Sequence, residues 1–495
     1  MKNLLKILTL LLVIGCSCKD FLKVDEFNPN SASTVPANLI LPAALNTTAR
    51  NITLPDRLEF IYIWYGCWSV NISYSQPVYL TQYSLLNASY QNHWNESYLN
   101  GENYDYIEKN TTDPASAYFN AIAKIMKVYV FQSLVDVYGN VPYSEAFKAD
   151  QGVLKPVYDD QKVIYEDLVV KLDEAINIIT DAPADATEVG SGDIMFHGNM
   201  ELWKKFANTL KLRLLINQSD MTGRESYIST ALATTASVGF LGAGEGAMVN
   251  PGYLQSETKM NPFWEACYKQ DGSKQADALS YWAAGQDACD FLTNNNDPRK
   301  LRFFAPYSDD NIQGNYFGAP VLQNSNVTST LGPGLLQGYN MSAPLLTDFE
   351  SLFLQAEAAE RGFIPGDPKT LYESAVTQSI LYLGGTEGTF AAAATYLAQA
   401  GKPLVNWDLA SNKIQIIITQ KWCALNGISA LPLWTDYRRT GYPDFIHWSA
   451  DPAKKNPTPP VRLLYPQTEI STNNDNVVAQ GNLDYFTSKL FWQNR

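Results

Sequence analysis

Apolar residues return at helical spacing along most of this chain, in segments that come in pairs with short breaks between them. Tyr118, Ile122, Ile125 and Tyr129 lie on one face of a helix that Gly139-Asn140 and Pro142 should end. Asp159 and Asp160 open the next, whose stripe is Ile164, Leu168, Leu172, Ala175 and Ile179, with the acidic pair at the positive end of the helix dipole. Asn199 is placed to cap a third, in which Trp203, Phe206, Ala207, Leu210 and Leu214 share a face and Lys204, Lys205, Lys211 and Arg213 lie off it. A long loop is expected after it. In the C-terminal half Thr347 and Glu350 have capping-box spacing ahead of Leu352, Phe353, Ala356 and Ala359, and Gly362 with Pro365 supplies the stop. Asp367-Pro368 gives a cap and a first-turn proline to a helix through Leu371, Ala375 and Val376, closed by Gly384-Gly385. A further helix runs from about Ser411 through Ile414, Ile418, Trp422 and Leu425 to Gly427.

Paired helices with short connections predict a mainly α fold, a scaffold of stacked helix hairpins. The strict tetratricopeptide consensus is absent, so this expectation rests on helix pairing and not on a sequence period. Two regions break the pattern. From Phe60 to Trp94 the chain carries Tyr62, Trp64, Tyr65, Trp68, Tyr74, Tyr79, Tyr83 and Tyr90 among Asn, Ser and Gln. From about Pro251 to Tyr339, Gly, Pro and Asn alternate with Tyr253, Trp264, Tyr268, Trp282, Tyr307, Tyr316 and Tyr339. Loops of this length need a function or disorder to account for them, and dense aromatics argue against disorder.

The first residues bear on location. Lys2 and Lys6, the apolar run Leu8 to Ile14, and Val13-Ile14-Gly15-Cys16 have the layout of a bacterial lipoprotein signal, with residues 1–15 removed and Cys16 acylated; Cys18 is the alternative acceptor. The run is too short to span a bilayer. Residues 16–56, rich in Asn, Pro, Ser and Thr, are expected to form a lipidated tether, and 57–495 a single domain. Removing Lys2 and Lys6 from 36 basic residues leaves 34 against 50 acidic, a net charge of −16, so nucleic acid is not an expected partner. Cys67, Cys267, Cys289 and Cys423 form no ligand-like or framework-like spacing and read as buried apolar residues, with Cys267–Cys289 the one pairing an exported protein could make. With 29 Tyr, 21 Phe and 11 Trp but only 3 His, the chain is better supplied for stacking than for proton transfer.

Three segments together resemble the SusD/RagB family of outer-membrane nutrient-binding lipoproteins of Bacteroidetes, in its SusD-like second subgroup. They are Val135-Asp136-Val137-Tyr138-Gly139-Asn140-Val141-Pro142-Tyr143-Ser144-Glu145-Ala146; the helix from Thr347 to Gly362 with Gln355-Ala356-Glu357-Ala358-Ala359; and Ile418-Thr419-Gln420-Lys421-Trp422 leading to Trp434-Thr435-Asp436-Tyr437-Arg438-Arg439-Thr440-Gly441-Tyr442-Pro443. Asp20-Phe21-Leu22 also fits. The resemblance implies tetratricopeptide-like helix pairs on one side, a long loop-rich ligand-binding face on the other, and a SusC-like TonB-dependent transporter as partner. It further implies a cell-surface, lipid-anchored protein of the outer membrane that captures oligosaccharides, or in some members peptides, without chemistry and without a cofactor. The matched motifs belong to the scaffold, so Arg438 and Arg439 are expected to pair with carboxylates such as Asp436 and not with ligand.

A sugar ring exposes an apolar C–H face that a Trp or Tyr ring can cover while polar groups bind its rim hydroxyls. On that basis Trp68, Tyr74, Tyr79 and Tyr83, with Asn71 and Gln76, are the early ligand candidates, and Trp264, Tyr268 and Tyr307, with Asp271 and Lys274, the central ones. Tyr62 and Trp64 share a helix face with Phe60 and read as core. The rival class is a glycoside hydrolase using two carboxylates. No metalloprotease, nucleophile-elbow or phosphate-loop motif is present, and Gly242-Ala243-Gly244-Glu245-Gly246 reads as a turn.

Overall fold

The computed structural model describes residues 35–71, 73–275, 281–319 and 328–493, apart from the side chain of Asp56. Its principal helices are α1 (Ala37–Thr53), α2 (Pro55–Trp64), α3 (Gln91–Asn110), α4 (Ala117–Tyr138), α5 (Gln161–Thr180), α6 (Met200–Ile216), α7 (Pro262–Cys267), α8 (Gln286–Asn294), α9 (Asp348–Glu360), α10 (Pro368–Leu383), α11 (Lys413–Leu425) and α12 (Ala430–Thr440). Three short antiparallel ribbons accompany them: β1 (Trp68–Val70) with β5 (Trp282–Ala284), β2 (Val141–Pro142) with β3 (Tyr158–Asp159), and β4 (Ala247–Val249) with β6 (Ala343–Leu346). Successive helices pack as neighbours, α3 on α4, α4 on α5, α5 on α6 and α9 on α10, which is the expected tetratricopeptide-like arrangement. No helix among the described residues is long and apolar enough to cross a membrane. Cys16 and Cys18 lie outside the described residues.

The predicted caps do their work. Asp160 accepts from the backbone of Lys162 and Val163, Asn199 from Leu202, Thr347 from Glu350 and Asp367 from Thr370. Gly139 ends α4 at φ 75°, a conformation that suits a residue without a Cβ. The capping box at α9 is half made: the Glu350 carboxylate turns inward to Arg213 at 3.3 Å instead of reaching back to the cap. The stretch after α6 is not all loop, since Glu225–Ala233 is helical.

The tether boundary near residue 56 needs correction. α1 inserts Leu41, Ala44, Leu45 and Ala49 into the core, so any tether ends before residue 37. Its i, i+3, i+4 pattern was masked by Pro42 and by polar partners: Thr48 meets the Tyr104 hydroxyl at 2.7 Å, and Asn100 donates to the Ala44 carbonyl at 3.1 Å. α3 escaped for the same reason, because its buried stripe includes Ser97, Asn100 and Asp105. Lysines and carboxylates then bind three helices together: Lys127 bridges Asp105 and Glu108, and Lys124 bridges Glu108 and Glu174.

The motif segments are scaffold. Asp159 accepts from the backbone of Tyr143 and Ser144 at 2.9 and 2.8 Å, closing the turn after α4. Arg439, fully buried, reaches both Glu357 oxygens at 2.5 Å and Asp436 at 2.8 Å. Arg438 differs from the expectation: it donates to the carbonyls of Asp136 and Val461 and stacks 4.0 Å over Trp434, so carbonyls and a ring replace the carboxylate. All four described cysteines are buried free thiols, including Cys267 and Cys289.

Candidate ligand-binding surface

The β1–β5 ribbon joins the two aromatic regions, which lie about two hundred residues apart in sequence. Trp68 opposes Ala284 and Val70 opposes Trp282, and just beyond, the Asn71 amide donates to the Tyr281 carbonyl at 2.7 Å. Asn71 then turns the chain, its side chain accepting from the Ser73 amide. That turn sets Tyr74 edge-on against Tyr281, with ring centroids 5.6 Å apart. Tyr79, 40% exposed, lies close enough to Tyr281, Tyr90 and Glu59 to be influenced by them electrostatically. Tyr90 in turn donates to Glu59. Tyr74 and Tyr281 in contact, with Tyr79 and the Glu59 carboxylate in their neighbourhood, are termed the tyrosine shelf.

Burial acts on two of these phenols, Tyr79 and Tyr281. Burial pushes the Tyr281 hydroxyl up to about 12, and the nearby Tyr79 and Glu59 add to it. Burial also raises Tyr79, partly offset by the Tyr90 hydrogen bond. The Tyr79 and Tyr281 hydroxyls therefore stay protonated at neutral pH.

A second exposed ring pair comes from α7. Asn261 caps this helix by accepting from Phe263 and Trp264, and Pro262 occupies the first turn. Phe263 is buried parallel to Trp68 at 6.3 Å, and its neighbour Trp264 is half-exposed. Four residues on, Tyr268 lies parallel to Trp264 at 4.1 Å and 16°. Beside this pair runs an open polar groove lined by Gln255, Glu265, Lys269, Gln270 and Asp271.

Several sequence candidates have other duties. Trp68 is 1% exposed and packed among Tyr62, Phe263 and Trp282, so it is not a surface platform. Tyr83 is fully buried, its hydroxyl accepting from the Ser449 amide. Both correct the expectation, and the reason is β1 and the segment after it being drawn under the central loops. Gln76 accepts from the Gly318 amide and so ties those loops together. Asp271 is exposed but binds the Ser273 amide and hydroxyl, which hold its carboxyl below the usual range. Lys274 is exposed and bridges by backbone to Tyr268, and Tyr307 is 39% exposed on a turn of its own. Tyr62 and Trp64 are core, as expected. Tyr281, Tyr90 and Glu59 were missed; only strand pairing brings Tyr281 to Tyr74, and a sequence carries no mark of that register.

Behind the shelf is a cleft of about 570 Å³, including its open mouth, between α2, the start of α12 and the segment before β6. Its walls are the rings of Tyr62, Trp68, Phe263 and Tyr382 with Leu335 and Met341, and Glu59 is common to cleft and shelf.

The structure defines a tetratricopeptide-like helical scaffold that carries aromatic side chains on its loops. The family model described as SusD-like, "Starch-binding associating with outer membrane", matches residues 28–466, and the chain belongs to the SusD/RagB family. A solved chitin-binding protein is 25% identical with a TM-score of 0.75, covering 93% of this chain and 100% of its own. A chitin-binding SusD homologue from Flavobacterium johnsoniae is 23% identical (TM-score 0.74, 92% and 98% covered), and a SusD homologue from Bacteroides fragilis 21% (TM-score 0.74, 93% and 99%). No curated protein matches the chain.

Proposed function

We propose that this protein captures oligosaccharides at the outer surface of the outer membrane and hands them to a SusC-like TonB-dependent transporter. The observation that carries the reading is the tyrosine shelf. Tyr74, Tyr79 and Tyr281 offer ring faces for the apolar sides of sugars, and their hydroxyls can give and accept hydrogen bonds to the rims. The Trp264–Tyr268 pair is a second stacking element of the same chemistry. Family membership and the chitin-binding relatives support a glycan ligand, and the family description supports the membrane location. The lipoprotein-type N-terminus supports anchoring through Cys16.

Capture is binding without turnover, which separates it from the hydrolase reading. Calorimetry of residues 28–495 with a panel of oligosaccharides and peptides, with products followed in the same samples, tests this. Heat with glycans and no new products is expected. Product formation overturns capture, and heat with peptides alone reassigns the ligand. Co-purification of a transporter barrel with the full-length protein from outer membranes tests the hand-over; its absence there refutes the partner.

A further inference from the structure

We propose that an apolar groove on α3 is the docking site for residues 21–27 of this chain's own N-terminal segment; this goes beyond the glycan reading and does not depend on it. The groove, about 1240 Å³ with its open mouth, lies between α3 and residues 145–156, and it shares no lining residue with the cleft behind the tyrosine shelf. Its walls include Trp94, Tyr98, Leu99, Val153 and Leu154, and Leu99 and Leu154 stand 63% and 76% exposed. Two leucines left open beside aromatic rings form a surface that gains by being covered.

The point where the chain enters the folded body names the occupant. The Val35 amide, at the first described residue, donates to the Tyr106 hydroxyl at 2.9 Å. Tyr106 is on α3, four residues from Glu102 and seven from Leu99, and both of those line the groove. Seven residues of helix span roughly 10 Å. The segment before Val35 is apolar at Phe21, Leu22, Val24 and Phe27. Phe27 precedes Val35 by eight residues, a reach of up to about 26 Å, so it arrives at the groove with chain to spare. A segment joined to the body beside its site also competes at high effective concentration against any separate partner.

Charge favours the same occupant. An adjoining cleft shares Ala146, Phe147 and Lys148 with the groove. It is lined by five lysines, among them Lys109, Lys127 and Lys148, against three carboxylates, a balance of +2, or +1 with Glu174, which pairs with Lys124 and Lys171. That is a local surplus of positive charge in a chain of net charge −14. Asp25 and Glu26 directly precede Phe27, so Phe27 in the groove brings two carboxylates towards Lys148 at the boundary. Docking would shorten the anchor. Cys16 is nineteen residues from Val35, about 63 Å at full stretch, but five from a seated Phe21, about 17 Å.

The test uses the mature full-length protein in detergent, with p-benzoylphenylalanine in place of Phe27 for photo-crosslinking. Crosslinks within one molecule to peptides from residues 94–102 or 145–156 are expected. The double variant Leu99→Asp, Leu154→Asp changes two exposed positions, so its melting temperature should stay near wild type while the crosslink yield falls at least fivefold. Trypsin should cut after Lys23 at least fivefold faster in that variant than in wild type. Crosslinks that land elsewhere, no crosslink within the molecule, or equal cleavage rates overturn the docking and leave glycan capture standing.

Discussion

Glu357→Gln tests whether the buried arginine cluster belongs to the scaffold and not to the ligand surface. Glu357 is 1% exposed, and both of its oxygens meet Arg439 at 2.5 Å, while Arg361 Nε lies 2.8 Å away. Burial on its own would raise this carboxyl, but Arg439, Arg361 and Lys421 outweigh it and bring it down to about 2 from an ordinary 4.5. At ~1.4 kcal/mol per unit, that difference corresponds to about 3 kcal/mol of folding stability. The sign follows from the folded value being depressed. The contribution is complete above about pH 4.5, where the unfolded carboxyl is ionised, and disappears as the pH falls through about 2. Gln leaves Arg439 and Arg361 without that charge, so the variant should lose ~3–5 kcal/mol near pH 7. Urea unfolding followed by tryptophan fluorescence at pH 7, 4.5, 3 and 2 measures this. The gap between wild type and variant should be widest at neutral pH and shrink by about 3 kcal/mol at pH 2. A gap that is small at pH 7, or equal at every pH, refutes the reasoning; so does weakened glycan binding by a variant that is fully folded.

Other outcomes follow from the same structure. Trp68→Ala should cost ~3–5 kcal/mol in urea unfolding because its ring is buried among Tyr62, Phe263 and Trp282, whereas Tyr79→Ala, on the surface, should stay within ~0.5 kcal/mol; equal costs would place Trp68 at the surface after all. Asp136 is raised by burial to about 6, partly countered by its bond from Tyr165 and by Arg438. Its raised folded value means that the contribution of Asp136 falls as pH rises from about 4 to about 6, so the stability of wild type relative to Asp136→Asn should decline over that range, read from paired melting temperatures. Gly427→Ala meets both a φ of +72° and contact with Leu335 and Trp68, so it should lose more than ~1 kcal/mol in the same urea assay.

Helices whose buried stripe is apolar and whose ends carry a cap were legible without a structure, as α4, α5, α6, α9, α10 and α11 show. α1 and α3 were not, because their inward faces carry Thr48, Asn100 and Asp105, and these residues count as core only once their partners are known. The aromatic regions were found as regions. Which ring faces outward was not, because that depends on two three-residue strands finding each other across about two hundred residues. Pairing β1 with β5 buried Trp68 and delivered Tyr281 to the surface beside Tyr74. The arginine motif was read more surely, since two adjacent arginines in a helix-rich core need partners wherever the ligand binds, although Arg438 found carbonyls and a ring.

The central claim, glycan capture on the tyrosine shelf, is tested most directly by titrating the best-binding oligosaccharide into wild type, Tyr79→Ala and Tyr281→Ala by calorimetry. Each variant should melt near the wild-type temperature and bind about 1–3 kcal/mol more weakly. Wild-type affinity in both folded variants would contradict the account and place the ligand elsewhere on the molecule.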